Sequence, residues 1–346
     1  MKEPVRIGLI GVGGIAQSYL QVFRNLEKEA RLVAVADVRG GQADAAAKAM
    51  GCRGYDSHSA LVEGEDVEAV LICTPPATHP EIAAHFLERG ISVLSEKPLA
   101  TDVGSAEMLL KTAESNGVIL TMSSKYRYVD EVVRAKSILA SGILGEIILL
   151  ENVFATRVEM SRRWNSDPRI SGGGVLVDNG THSVDLIRYL LGPIAEVAAV
   201  EGKRVQGLAV EDTVQLFVKT ADGVRGTVDL SWSIDKQRDP YIDIYGSNGT
   251  VSVGWKVSRF RQAASPDWVV FGGAYDKIGC LGAQLQNFCR AVRNEEQLLI
   301  TAEDAIASIE VIQKAYASLA RPRWVRVEGA HRDGGRGGVH ARARSA

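Results

Sequence analysis

Apolar residues recur in two rhythms along this chain, and the rhythm changes near its middle. In the first third, short apolar runs at 5–10, 32–36, 67–73, 91–94 and 118–122 predict buried strands. They alternate with stretches of helical spacing at about 15–28, 42–50, 80–89 and 103–116. Strands alternating with helices predict a doubly wound parallel sheet with right-handed crossovers. From 146 onward the pattern is period two. Residues 146–156, 212–220, 224–233 and 241–253 alternate apolar with polar and are joined by polar turns at 221–223 and 246–249. That predicts a mostly antiparallel sheet with one covered and one open face. Helices at 129–141 and 282–294, and one running from Thr301 to 319, complete an α+β second half. The last opens on Thr301-Ala302-Glu303-Asp304, which resembles a capping box. The expected organisation is an α/β domain over 1–124, an α+β domain over 125–329 and a disordered tail over 330–346, which has almost no apolar anchors.

The length of 346 residues suits two such domains, each able to bury a core. With 24% charged residues and a net charge of -2, no polyanionic partner is implied. The tail carries arginines without aromatic residues, which is thin support for nucleic-acid binding, so none is expected. No apolar run is long enough to span a membrane, and residues 1–4 lead straight into a strand without a signal peptide. The 4 cysteines are scattered with no metal-ligand spacing, so reduced thiols, a cytoplasmic location and no metal are expected.

Gly11-Val12-Gly13-Gly14-Ile15-Ala16 joins the first strand to the first helix and is a G-x-G-x-x-A dinucleotide fingerprint in its required context. Gly11 permits the tight turn, and Gly13 lets the backbone approach a pyrophosphate. Gly14 and Ile15 open a helix whose N-terminus attracts phosphate charge, and Ala16 allows close packing on the strand. The first domain is therefore expected to be a Rossmann fold. Asp37 ends the second strand, slightly farther than about 20 residues past the glycines, where an acid bonds the adenosine ribose and repels a 2′-phosphate. NAD is favoured, while Arg39 nearby could accommodate that phosphate and keeps NADP open. Thr74, Pro75 and His79, then Glu96 and Lys97, also follow strands and gather at the same sheet edge. His79 could alternatively be a polar residue opening a helix, and Lys97 a surface partner of Glu96.

The stretch from Ser171 to Gly192 runs three glycines into a helix. The glycines would let a ligand lie close to the backbone. Asp178 and His182 lie at i and i+4 on one face, which Asp185 continues. A carboxylate beside an imidazole can orient it and raise its basicity, which suits proton transfer. A helix with a polar solvent face would give the same pattern.

The glycine-rich turn, Thr74-Pro75-Pro76 with His79, Glu96-Lys97-Pro98, and Asp178 to His182 after a glycine run together resemble the glucose-fructose oxidoreductase / inositol dehydrogenase / rhizopine catabolism (Gfo/Idh/MocA) family. The likeness spans residues 5–327. The family commonly has asparagine where this chain has Pro76, which weakens any side-chain role at that position. The resemblance implies a nicotinamide near Thr74-Pro75, His79 and Glu96-Lys97, and hydride exchange with a sugar, inositol, polyol or sugar acid. His182 would accept the proton with Asp178 as its partner, and Lys97 would stabilise the alkoxide; some members give the proton to the lysine. Lys125 and Arg127, on one face of an extended segment, are candidate substrate contacts. So are Arg163 and Trp164, which with Arg157 and Arg162 could close over the site. These basic groups suggest a carboxylate or phosphate on the substrate; surface or interface roles are equally open. The open sheet face, with apolar residues such as Trp232, would pair subunits into a homodimer or homotetramer. Two other classes fit this family: an NAD-dependent glycoside hydrolase and a non-catalytic NAD sensor.

Overall fold

The computed structural model describes residues 3–321, and the tail expected at 330–346 lies outside them. The first half runs β1 (Val5–Ile10), α1 (Gly14–Asn25), β2 (Ala30–Ala36), α2 (Gly40–Met50), β3 (Arg53–Tyr55), α3 (His58–Gly64), β4 (Ala69–Ile72), α4 (His79–Leu87), β5 (Ser92–Ser95), α5 (Val103–Ser115) and β6 (Leu120–Met122). The second runs α6 (Asp130–Ala140), β7 (Ile147–Ala155), α7 (Pro168–Ser171), α8 (Val175–Leu191), β8 (Ile194–Glu201), β9 (Thr213–Thr220), β10 (Arg225–Ser231), β11 (Pro240–Gly246), β12 (Gly249–Gly254), β13 (Ser258–Gln262), β14 (Val269–Gly272), α9 (Lys277–Val292) and α10 (Ala302–Leu319).

The first sheet is parallel throughout, in the order β3-β2-β1-β4-β5-β6. This is the Rossmann order, in which the connections reverse between β1 and β4 and open a crevice at the strands' carboxyl ends. Its central strands β1, β4 and β5 are buried on both faces, so Ala69–Ile72 reads as an unbroken apolar run.

The second sheet has the order β14-β13-β12-β11-β7-β10-β9-β8. It is antiparallel except where β10 pairs β7 in parallel, because the two are joined through a long excursion that includes α8. On β9, Val214, Leu216 and Val218 turn inward while Gln215 and Phe217 are exposed. The inward face packs on α8 and α10. Leu149 and Phe217 are 49% and 44% exposed on the other face, beside Glu151, Arg225 and Thr227. Trp232, expected on the open face, is instead 3% exposed. It follows the last residue of β10, where its N–H bonds the Asp212 carbonyl at 2.8 Å and the chain turns inward.

The C-terminal helices tie the halves together. Leu281, Leu285 and Phe288 of α9 join the core formed by Tyr19 and Val22 of α1. On α10, Ala305 and Ile309 enter the core beneath α5, and Ile312 and Ala315 the core beneath the second sheet. Thr301 and Asp304 form the reciprocal capping box.

Candidate active site

At the first turn, Gly11 has φ 85°, and a Cβ there would stand 2.9 Å from the Cys73 carbonyl carbon. Only glycine fits this crossing of β1 under the loop after β4. Helix α1 begins at Gly14 with Gly13 as its N-cap, and no side chain caps it. A Cβ added at Gly13 or Gly14 would meet no protein atom within 4 Å, whereas Ala16 is fully buried. An uncapped helix N-terminus with glycine at its mouth fits a dinucleotide pyrophosphate.

Asp37 sits at the carboxyl end of β2 with its side chain 4% exposed. It accepts from Val12 N at 2.9 Å, so it also fastens the glycine turn. Arg39 donates to it through its main chain at 2.9 Å and through Nε and Nη2 at 3.0 Å. Burial works to raise the Asp37 pKa, but these donors outweigh it and hold the carboxyl below its usual range. The Arg39 fork is therefore directed at Asp37.

His79 departs from expectation. It is fully buried, with Nε2 2.8 Å from the Thr74 carbonyl and Nδ1 2.8 Å from the Pro98 carbonyl. Enclosed in this way it has no atom free for a cofactor. It braces the loop after β4 against the loop after β5, which carries Lys97. Burial, the largest influence, lowers its pKa. Thr78 completes the brace by donating to Thr74 Oγ1 or to the Pro75 carbonyl, each at 2.8 Å.

Past β5, the Glu96 carboxylate accepts from Ser123 Oγ at 2.9 Å and from Lys97 N at 3.2 Å. Ser123 in turn pairs with Tyr19 OH at 2.9 Å, on the dinucleotide helix. The Lys97 ammonium group reaches not Glu96 but Asp178, 81 residues on. It donates to the Asp178 carboxylate and, at 2.7 Å, to the Asp178 main-chain carbonyl. The Lys97–Pro98 peptide is cis.

The pairing corrects the expected Asp178–His182 couple. Both side chains lie on one face of α8, but the carboxylate is turned to Lys97, and His182 Nδ1 is buried with no hydrogen-bond partner. Tyr126 packs edge-on against the imidazole at 5.1 Å. Burial, then the charges of Lys97 and Lys125, push the His182 pKa well below 6.5. Asp185, next on that face, is fully buried and accepts from Ser124 and from the Arg127 guanidinium.

Asp178, Asn179 and His182 open on a cavity of about 500 Å³, walled by Phe154, Tyr126, Trp232 and Trp255 and by the charged groups of Arg163, Lys236 and Arg238. Lys236 is paired with Asp229, and Arg238 with Glu151 and Asp243. Sequence reasoning missed Asn179, Phe154, Trp255, Lys236 and Arg238. Phe154 and Asn179 lie in a strand and a helix whose pattern predicts the element but not what its members face, and Lys236, Arg238 and Trp255 lie in loops that no periodicity places.

Arg163 lines this cavity, and Trp164 a small crevice beside Lys97, Pro98 and Asp178. Arg157 and Arg162 are exposed and line neither. Residues Lys125–Tyr128 form a 3₁₀ turn, not an extended segment. Lys125 stands 5.3 Å from the centre of the Tyr126 ring. Arg127 is not a substrate contact: its side chain is 5% exposed, held by Asp185, Asp304 and the Leu299 carbonyl. The glycine run is also filled by the protein itself, since a Cβ at Gly173 or Gly174 would lie 2.0 Å from Tyr316 OH or the Glu211 carbonyl oxygen. Among the described residues no cluster of three or more His, Cys, Asp or Glu could hold a metal. Likewise, no helix is long and apolar enough to cross a membrane.

Residues 5–124 match the oxidoreductase family with an NAD-binding Rossmann fold, GFO_IDH_MocA, and residues 132–252 match the GFO/IDH/MocA C-terminal domain. Inositol 2-dehydrogenase of Rhizobium meliloti is 25% identical over 337 residues, covering 93% of this chain and 99% of that protein. The rhizopine catabolism protein MocA of Rhizobium meliloti is 27% identical, covering 91% and 95%. Among solved structures, GenD2 from gentamicin A biosynthesis, crystallised with NAD, superposes with a TM-score of 0.81 at 26% identity, covering 93% of this chain and 96% of that one.

Proposed function

This chain belongs to the Gfo/Idh/MocA family and is an NAD-dependent oxidoreductase, and we propose that it exchanges hydride between NAD and a secondary alcohol of a sugar, inositol, polyol or sugar acid. The observation that carries this reading is the Lys97–Asp178 pair, which joins the loop at the Rossmann crevice to the helix facing the cavity.

The cofactor's pyrophosphate would lie on the N–H groups of Gly13, Gly14, Ile15 and Ala16, past the turn at Gly11. Asp37 would receive the adenosine ribose, and Thr74, Pro75, Glu96 and Lys97 would border the nicotinamide. When bound, NAD supplies the hydride acceptor or donor. A carboxylate at Asp37 with Arg39 drawn onto it supports NAD over NADP.

Lys97 handles the proton. In reduction its ammonium group donates to the carbonyl oxygen as the carbon gains hydride. In oxidation the amine takes the hydroxyl proton, and Asp178 holds the ammonium so formed. His182 stays neutral and hydrogen-bonds the same oxygen from the cavity side, where its depressed pKa disfavours a further positive charge. Phe154, Trp232 and Trp255 offer apolar walls to the substrate's C–H faces, and Asn179, Lys236 and Arg238 offer polar groups to its hydroxyls. Arg163 and Trp164, at the rim, and Lys125, by the Tyr126 ring, are candidate substrate contacts. The exposed face around Leu149 and Phe217 supports assembly into a dimer or tetramer.

The test is formation of fluorescent reduced nicotinamide from NAD⁺ or NADP⁺ with a panel of inositols, aldoses, polyols and sugar acids. Turnover with NAD⁺ and at least one member is expected. Cofactor binding without turnover on any member would overturn the dehydrogenase reading.

A further inference from the structure

Helix α8 carries Asp178 and His182, yet it has no cap of its own: its N-cap is Gly174, with no side-chain bond. One residue from a distant part of the chain supplies what is missing. Glu211 Oε1 accepts from Gly174 N at 3.0 Å and from Leu176 N at 3.1 Å, while its main-chain carbonyl accepts from Val175 N at 3.0 Å. Three consecutive N–H groups at the start of the helix thus end on one residue, which is 5% exposed. Tyr316 of α10 donates its hydroxyl to the same Oε1 at 2.7 Å. Gly173 and Gly174 leave room for this arrangement, since a Cβ on either would strike Tyr316 or Glu211.

The consequence falls on Lys97. Its amine donates to the main-chain carbonyl of Asp178 as well as to the side chain. A side-chain contact alone could follow a small shift of the helix by rotamer adjustment. A contact to the helix backbone cannot, so the position of the first turn of α8 sets the position of the lysine nitrogen. We propose that Glu211, fastened by Tyr316, is a positioning residue for proton transfer: it fixes the first turn of α8 so that Asp178 meets Lys97. The proposal rests on the reading of Lys97 and Asp178 as the proton-handling pair.

Burial raises the Glu211 pKa, outweighing the donors around it. All three side-chain bonds go to one oxygen, which glutamine can supply as its amide oxygen. Glu211→Gln therefore keeps the device, and Glu211→Ala removes it. Tyr316→Phe removes one hydroxyl and leaves the packing.

The experiment needs no substrate. Lysines of the full-length parent and variants are labelled with trace acetic anhydride, and Lys97 is quantified by mass spectrometry against the other lysines. Asp178→Asn calibrates the exposed amine. An amine released from its charged hydrogen bonds to Asp178 is open to the reagent. Expected are a rise of about tenfold at Lys97 in Glu211→Ala, the worth of a lost charged hydrogen bond, a smaller rise in Tyr316→Phe, and a return to the parent level in Glu211→Gln. The other lysines should not change. If Asp178→Asn raises Lys97 labelling but Glu211→Ala and Tyr316→Phe do not, the positioning role is overturned. A rise shared by all lysines would also overturn it, by showing general loosening. If Asp178→Asn itself leaves Lys97 unmoved, the ion pair beneath both the proposal and the catalytic reading is contradicted.

Discussion

Lys97 donates to both the side chain and the main-chain carbonyl of Asp178, so the loop after β5 is locked to the backbone of α8 and not only to a mobile carboxylate. The two residues come from the two sheets' separate halves of the fold, and the cavity opens beside their contact.

The imidazole of His182 is expected to remain neutral through the physiological range. Its pKa and that of the fully buried His79 are lowered by burial, so the unfolded chain binds protons that the native chain does not. The stability linked to these lowered values is fully present above about pH 6.5 and lost as pH falls below it. Urea unfolding between about pH 5 and 7 should show a shallower acid decline for His182→Gln than for the parent. An identical decline would place an ordinary, exposed histidine at 182.

Asp37 both fastens the Val12 turn and faces the edge where the ribose would bind. Asp37→Asn should weaken NAD⁺ by about tenfold or more, the worth of a charged hydrogen bond, and weaken NADP⁺ less. Fluorescence titration with both cofactors measures this. Equal losses for the two would assign ribose discrimination to another group.

Arg127 lies between Asp185 and Asp304; its side chain and that of Asp185 are almost wholly buried, whereas Asp304 is partly exposed. Arg127→Met leaves the Asp185 carboxylate without its counter-charge. Unfolding free energy should fall by about 3–5 kcal/mol, as for other broken buried pairs. A loss below about 1 kcal/mol would mean that water reaches Asp185 and that the arginine is free to serve the substrate.

The open face of the second sheet should be a subunit contact. Phe217→Glu puts a charge into its exposed apolar patch, opposite Thr227 and Ala198 in the neighbouring strands. Light scattering should report a lower mass for this variant than for the parent. A parent that is monomeric at all concentrations would contradict the assembly.

The parallel sheet was legible because buried strands read as unbroken apolar runs and the glycine turn has a fixed grammar. Strand β3 was not, being three residues of Arg, Gly and Tyr, and β8 was hidden by its three alanines. Residue identity at a strand end puts Lys97 at the crevice edge, and helical spacing puts Asp178 and His182 on one face of α8. It could not distinguish which carboxylate meets the lysine, because i and i+4 spacing fixes a helix face but not a rotamer. His79 and Arg127 are polar residues whose burial follows from partners 19 and 58 residues away, beyond the reach of local pattern. The glycine run looked like room for a ligand, and the room is taken by Glu211 and Tyr316.

The most direct measurement of the central claim is NADH formation by the parent and by Lys97→Met, with NAD⁺ affinity determined in parallel on both. The account predicts turnover by the parent on a polyhydroxylated substrate and a loss of about 100- to 10,000-fold in Lys97→Met, the span of a removed acid–base group, with NAD⁺ binding little changed. Turnover by Lys97→Met within about tenfold of the parent would contradict it.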